Sequence, residues 1–95
     1  MTQKEILDFL RKHRELFASK YHIEKIGLFG SYARDEAEEE SDIDLVIQTP
    51  VRNFRNRYEL KYFLEENLKR PVDIGYLDTL RPFVRKRVEQ EVIYV

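Results

Sequence analysis

The segment GLFGSYARDEAEEESDIDLVI (residues 27–47) places two aspartates, Asp42 and Asp44, inside an apolar run that is typical of a buried β-strand. Residues two apart on a strand point to the same face, so both carboxylates project together while Ile43 and Leu45 pack on the opposite side. Like charges this close repel each other. A hard cation such as Mg²⁺ removes the repulsion, since it takes one or two carboxylates plus substrate phosphates. The alternative is an exposed strand face whose two acids only maintain solubility.

A Gly-Ser pair precedes these acids: Gly30 ends an apolar strand and Ser31 begins a polar stretch. Glycine permits close approach to the backbone, and free N–H groups at the start of a helical turn bind phosphate. Gly-Ser is also a common strand-to-helix junction, so the pair alone is weak evidence. Beside two carboxylates on a neighbouring strand, it indicates a nucleoside triphosphate site, with phosphate at the turn and metal at the aspartates.

A third acid, Asp73, lies in VDIGYL (residues 72–77), where the apolar residues predict a short strand. Asp73 either faces water at the edge of the sheet or, if its strand lies beside that of Asp42 and Asp44, joins them in one site. Three converging acids could hold two metal ions, one of which activates an attacking hydroxyl group.

The spacing Gly30-Ser31, ten residues, Asp42-Ile43-Asp44 is the pattern GSx10DxD, in which the chain resembles the DNA polymerase beta-like nucleotidyltransferases. The longer string GSYAR…SDIDLVI is similar to their smallest members, the minimal nucleotidyltransferases or MntA-like antitoxins, which are paired with HEPN-domain toxins. The resemblance covers nearly the whole chain. It implies the polymerase beta-like nucleotidyltransferase fold and ATP as the substrate.

The resemblance also implies roles for single residues of the turn and loop. Gly30, Ser31 and Ser41 would contact the nucleotide. Arg34 matches the arginine of the family motif and would steady the turn or touch phosphate; a salt bridge to the acidic loop DEAEEES (residues 35–41) is the alternative. Asp35 stands where family members usually have glycine, so a positive φ at this position would be tolerated at some cost.

For the three acids, the resemblance implies one metal site. Asp42 and Asp44 would bind Mg²⁺, with Mn²⁺ as a possible substitute, and Asp73 would complete the site and help to deprotonate the acceptor.

The composition limits the class of protein. A chain of 95 residues with 42% hydrophobic residues forms a single domain, residues 1–95, with one modest core. Its net charge of −1 disfavours direct nucleic-acid binding, and the absence of cysteine excludes disulfides and thiolate sites. Charges interleave with the apolar residues of the N-terminus, MTQKEILDFLRKHRELF, which is neither a signal peptide nor a membrane span. We therefore expect a cytoplasmic protein without a membrane partner.

The periodicity predicts an α/β (α+β) fold with a small three- to four-stranded sheet, mixed or parallel, flanked by about four helices. Thr2 and Glu5 have capping-box spacing ahead of an amphipathic helix. The predicted helices cover residues 3 to about 19, residues 55–68, and a last helix that begins after a cap at Asp78 or Thr79 and carries Val92 on its buried face. SYARDEA is predicted to form one or two helical turns that start at Ser31. The predicted strands cover residues 23–29, 43–47 and 72–77.

Two functions from different classes remain open. The first is a Mg²⁺-dependent nucleotidyltransferase, which by the family resemblance would be an antitoxin that moves AMP from ATP to a tyrosine of a HEPN toxin. The second is a non-catalytic antitoxin that neutralises its toxin by binding alone. Transfer to a small molecule or to an RNA end is disfavoured, because the resemblance implies that such enzymes carry additional substrate-binding domains.

Overall fold

The computed structural model describes all 95 residues. Four α-helices, one short 3-10 turn and four strands follow one another in the order α1 (Gln3–Lys12), α2 (Arg14–Tyr21), β1 (Lys25–Phe29), β2 (Ile43–Gln48), α3 (Phe54–Leu68), β3 (Val72–Tyr76), the 3-10 turn (Leu77–Thr79), α4 (Pro82–Glu91) and β4 (Ile93–Tyr94). No helix combines the length and the apolar character needed to cross a membrane.

The four strands form one mixed sheet in the order β3-β2-β1-β4. β1 pairs antiparallel with both β2 and β4, whereas β2 and β3 are parallel. A parallel pair needs a crossover connection, and α3 provides it between β2 and β3. The predicted mixed sheet of three to four strands flanked by about four helices is confirmed.

The two faces of the sheet have different coverings. On one face, α1, α2 and α3 pack on the sheet and enclose the hydrophobic core, whose fully buried members include Ile6, Phe17, Leu45 and Leu60. The other face carries Gly27, Gly75 and Asp44. The segment from the 3-10 turn to β4 lies over this face: a Cβ atom on Gly27 would approach Val92 Cγ2 to 2.6 Å, and one on Gly75 would lie 3.5 Å from Leu80 Cδ2. The covering is incomplete at the acids, because Asp44 is only partly buried and Asp73 of β3 is exposed.

The first helix begins as predicted but ends earlier. Thr2 and Glu5 form the reciprocal capping box, with N···O distances of 3.2 and 2.9 Å. The single helix predicted for residues 3–19 is wrong, because the helix breaks at His13 (φ −103°, ψ 13°) and α2 begins at the next residue. The His13 ring packs 4.2 Å from that of Phe9, and its Nδ1 lies 2.9 Å from Phe9 O. The His13 ring also packs edge-on against Phe63 of α3, with ring centroids 5.6 Å apart, and this tertiary contact is not visible in the periodicity of the sequence.

Of the one or two helical turns predicted for SYARDEA, the structure contains a single turn, residues 31–35, in which the N–H of Arg34 donates to Gly30 O at 3.1 Å. Asp35 adopts a left-handed φ of +59°, which ends the helical path.

The C-terminal end of the chain also differs from the prediction. The last helix stops at Glu91, and residues 93–94 form β4, which pairs with Gly27 and Leu28 of β1. Val92, predicted on the buried face of the helix, is the residue at which the chain leaves it.

Candidate active site

The turn after β1 holds Gly30 against the carboxylate of Asp44. Gly30 has a φ of +77°, in the left-handed region that favours glycine. A Cβ atom at this position would collide with Asp44 Oδ2 and would lie 3.1 Å from Asp44 Cγ. The sequence predicts that Gly30 allows a close approach to its backbone, and the group that approaches it in the structure is the carboxylate of Asp44. Any side chain at residue 30 strains the backbone and displaces Asp44.

The three residues after Gly30 have backbone N–H groups without a hydrogen-bond partner. The N–H groups of Ser31, Tyr32 and Ala33 donate no backbone hydrogen bond, whereas the N–H of Arg34 donates to Gly30 O at 3.1 Å. The free groups are the orphan donors expected at the start of a helical turn, and such groups bind phosphate. The turn therefore has the donors that the sequence interpretation requires of Gly30 and Ser31.

Gln3, in the first turn of α1, holds this turn from outside the cleft. Its Nε2 donates to Tyr32 O at 3.1 Å and to Ala33 O at 2.8 Å. Each carbonyl shares a rigid peptide plane with the N–H of the next residue. Gln3 thereby fixes the direction of the free N–H of Ala33. Sequence reasoning missed Gln3, and no pattern in the sequence points to it.

The three acids lie on neighbouring strands. Asp44 of β2 is directly opposite Asp73 of the parallel strand β3. Asp42 immediately precedes β2 and has the parity of Asp44, while Ile43 and Leu45 are fully buried on the other face. The prediction that the three acids converge required β3 to lie beside β2. The structure has this arrangement.

Asp44 has an unusually high pKa for an aspartate, about 6 against an ordinary value of 3.8. Burial is the largest cause, and the like charges of Asp73 and then Asp42 add to it. The positive charge of Arg34 lowers the pKa of Asp44, whereas the negative charge of Glu91 raises it. A half-buried carboxylate among like charges gains nothing for folding, and so it is a candidate functional group.

The residues present fit a divalent cation that shares its ligands with a substrate. No three acidic or histidine side chains are grouped so that they alone could hold a metal ion. Mg²⁺ does not require such a cage, because it is commonly bound through one or two carboxylates together with substrate phosphates and water. The uncompensated negative charge at Asp44 and the oxygen-only donors of Asp42 and Asp73 match that chemistry.

A cleft of about 310 Å³ separates the turn from α4. Its walls are formed by the end of β1, the turn, β2 and one face of α4, with the lining residues Phe29, Gly30, Ser31, Arg34, Asp44, Phe83, Val84, Arg87, Val88 and Glu91. Half of this lining comes from α4. The periodicity of the sequence predicts a buried apolar face for α4 but not that this helix lines the cleft, because its position depends on how the helix lies across the sheet.

Arg34 forms ion pairs with two carboxylates. Its Nη1 lies 2.9 Å from Glu91 Oε2, and its Nε lies 3.2 Å from Glu36 Oε2. Glu36 belongs to the acidic loop, so the salt bridge considered for Arg34 is present, and Glu91 adds a second partner across the cleft. These hydrogen bonds raise the pKa of Arg34 further above its ordinary value.

Two other residues singled out from the sequence lie at the edge of the site. Ser41 does not line the cleft; its Oγ accepts a hydrogen bond from the N–H of Glu38 at 2.8 Å and closes the acidic loop. Asp35 has the positive φ that the usual glycine of the family would adopt without strain. The turn still forms with aspartate, one of the few residues that tolerate this conformation.

Comparison with known proteins agrees with this geometry. The family model of the nucleotidyltransferase domain matches residues 10–95. A chain of Methanocaldococcus jannaschii, named as a protein adenylyltransferase, is 41% identical over 98 residues, which cover 99% of this chain and 98% of that relative. The chain belongs to the nucleotidyltransferase domain family, and it is an enzyme of the minimal nucleotidyltransferase type.

Solved structures share the fold. One described as a minimal nucleotidyltransferase superposes with a TM-score of 0.83 at 32% identity and covers 98% of this chain and 95% of its own. A Shewanella oneidensis complex of a tri-AMPylated HEPN toxin with an MNT antitoxin superposes with a TM-score of 0.61 at 24% identity, covering 97% of this chain and 66% of that one. At that identity the second likeness establishes the fold alone.

Proposed function

We propose that this chain is a Mg²⁺-dependent protein adenylyltransferase that moves AMP from ATP to a tyrosine hydroxyl of a cognate HEPN toxin, and so acts as an antitoxin. The observation that carries the proposal is the placement of Asp44: a half-buried carboxylate with its pKa raised to about 6, held beside a turn with free N–H donors. Unpaired anionic charge and phosphate-binding donors together suit a metal-bound triphosphate.

The chain's own residues have separate tasks in this reaction. The free N–H groups of Ser31, Tyr32 and Ala33 bind phosphate oxygens and orient the triphosphate. Asp42 and Asp44 would hold Mg²⁺, which when bound neutralises charge on the phosphates. Phosphoryl transfers depend mostly on such positioning and electrostatic stabilisation.

Asp73 is the candidate base. It is exposed on the edge strand β3, directly opposite Asp44 of β2. The acceptor hydroxyl loses its proton to the Asp73 carboxylate, and its oxygen forms a bond to the α-phosphorus. The bond between the α-phosphorus and the bridging oxygen breaks, and pyrophosphate leaves with that electron pair.

A protein acceptor fits the openness of the cleft. Phe83 on its lining is 72% exposed, so a small acceptor would bury little surface there. A partner protein brings its own surface to the site. The relatives named as protein adenylyltransferases support a protein acceptor, and the tri-AMPylated HEPN toxin bound to its MNT antitoxin supports the class of partner.

Co-expression with the cognate toxin tests the proposal. Wild type should relieve toxicity and add AMP to a toxin tyrosine, as read by intact mass and peptide mapping, and Asp42→Asn should do neither. The isolated proteins should require Mg²⁺, with EDTA abolishing transfer. If wild type and Asp42→Asn neutralise the toxin equally, with no change of toxin mass, the chain is instead an antitoxin that acts by binding alone.

A further inference from the structure

The cations around the cleft differ in whether a carboxylate already holds them. Arg34 lines the cleft but is paired with Glu36 and Glu91. On α4, Arg85 is paired with Glu89 at 3.1 Å and does not line the cleft. Arg87 lines the cleft and forms no ion pair. It is the one cleft cation that is free to meet an anionic ligand.

The neighbour most suited to pair with Arg87 is already engaged. Glu91 is four residues further along α4, a spacing at which side chains on a helix meet. Its carboxylate is bonded instead to Arg34, and its side chain is only 15% exposed. Arg34 of the turn thus holds the Glu91 carboxylate, and Arg87 has no carboxylate partner.

The opposite wall supplies the complementary half of an anion site. Gly30 and Ser31 face α4 across the cleft, and the free N–H donors of the turn begin at Ser31. A polyphosphate between these walls would meet backbone donors on one side and a guanidinium on the other. Guanidinium groups bind phosphate through paired hydrogen bonds.

We infer that Arg87 is the cation that binds the β- and γ-phosphates of the nucleotide, whereas Arg34 acts in the apo fold by holding Glu91 and the acidic loop. The inference rests on the proposed adenylyl transfer, since it assigns a ligand within the same site. It assigns to Arg87 the contact with phosphate that the family resemblance offers as one role for Arg34. Arg87 also holds the pyrophosphate that leaves, because the same phosphates form that product.

Calorimetric titration with Mg²⁺-ATP, pyrophosphate and AMP tests the assignment. Arg87→Gln should weaken ATP and pyrophosphate binding by about 10- to 100-fold, the usual effect of losing charged hydrogen bonds. AMP binding should change by less than about threefold, because AMP lacks the two phosphates. Arg85→Gln is the matched control on the same helix and should bind all three ligands as wild type does. Arg87→Lys should retain part of the affinity.

Thermal unfolding separates the two arginines. Arg34→Gln should lower the Tm in the absence of nucleotide, because it leaves Glu91 unpaired beside Asp44, while Arg87→Gln should leave the Tm unchanged. Equal ATP affinity in wild type and Arg87→Gln would overturn the assignment but leave adenylyl transfer intact. Wild type that binds no Mg²⁺-ATP would overturn both.

Discussion

Asp44→Asn should stabilise the protein at neutral pH while abolishing transfer. The pKa of Asp44 lies at about 6 in the folded protein, above the ordinary 3.8 of an unfolded chain. The stabilising contribution of the protonated carboxyl is therefore fully present below pH 3.8 and is lost as the pH rises through about 6. At neutral pH the ionised group opposes folding, and a neutral asparagine of the same shape removes that penalty.

The size of the effect follows from the pKa. A rise of this extent corresponds to at most about 3 kcal/mol, since each tenfold change in proton affinity is worth about 1.36 kcal/mol. Contact of the half-buried group with water screens the repulsion and reduces the figure to about 1–2 kcal/mol. For a domain of this size, that gain raises the Tm by about 5–10 °C.

Thermal and urea unfolding of wild type and Asp44→Asn at pH 7.5 and pH 4, with and without Mg²⁺, provide the assay. We expect the variant to be more stable at pH 7.5 without Mg²⁺ and the difference to shrink toward pH 4. Mg²⁺-ATP should stabilise wild type and not the variant, because only wild type binds it. Glu39→Gln, the same charge change in the exposed loop, is the control and should change little. A variant that melts below wild type at pH 7.5 without Mg²⁺ would refute the reasoning.

Three further outcomes follow from the turn and the open cleft. Asp35→Gly should raise the free energy of unfolding by about 0.5–1 kcal/mol in urea titrations, because relief of left-handed strain exceeds the added chain entropy; a loss of stability would show that Asp35 makes a compensating contact. Gly30→Ala should cost at least about 1–2 kcal/mol in the same titration and eliminate ATP binding, because its Cβ displaces Asp44; a folded variant with normal affinity contradicts the site. Free nucleosides, sugars and aminoglycosides should not be modified detectably in mass-spectrometric assays, whereas efficient transfer to one of them would argue against a protein acceptor.

The site strands were predictable from local pattern. The parity of Asp42 and Asp44 within an apolar run identifies the strand and its polar face together, since side chains alternate along a strand. The capping box at Thr2 is likewise a local signal, and the structure contains it. The mixed sheet could be inferred because the connection between β2 and β3 is long enough for a crossover helix.

Other features depend on contacts between distant residues. His13, at the break between α1 and α2, packs edge-on against Phe63 of α3, and the turn after Ser31 is held by Gln3, some thirty residues away in the sequence. β4 consists of only two residues, and its pairing with Gly27 cannot be read from so short a segment. For the same reason the sequence does not predict that α4 lines the cleft, since Arg87 faces the site only because of where the helix lies on the sheet.

Transfer of label from ATP to the cognate toxin tests the central claim most directly. The purified pair is incubated with Mg²⁺ and ATP labelled at either the α- or the γ-phosphate, using wild type, Asp44→Asn and the Glu39→Gln control. We predict that only the α-label is incorporated into the toxin, with wild type and the control but not with Asp44→Asn, and that the γ-label is released as pyrophosphate. Incorporation by Asp44→Asn, or no α-label on a toxin that wild type nevertheless neutralises, would contradict the assignment of catalysis to this site.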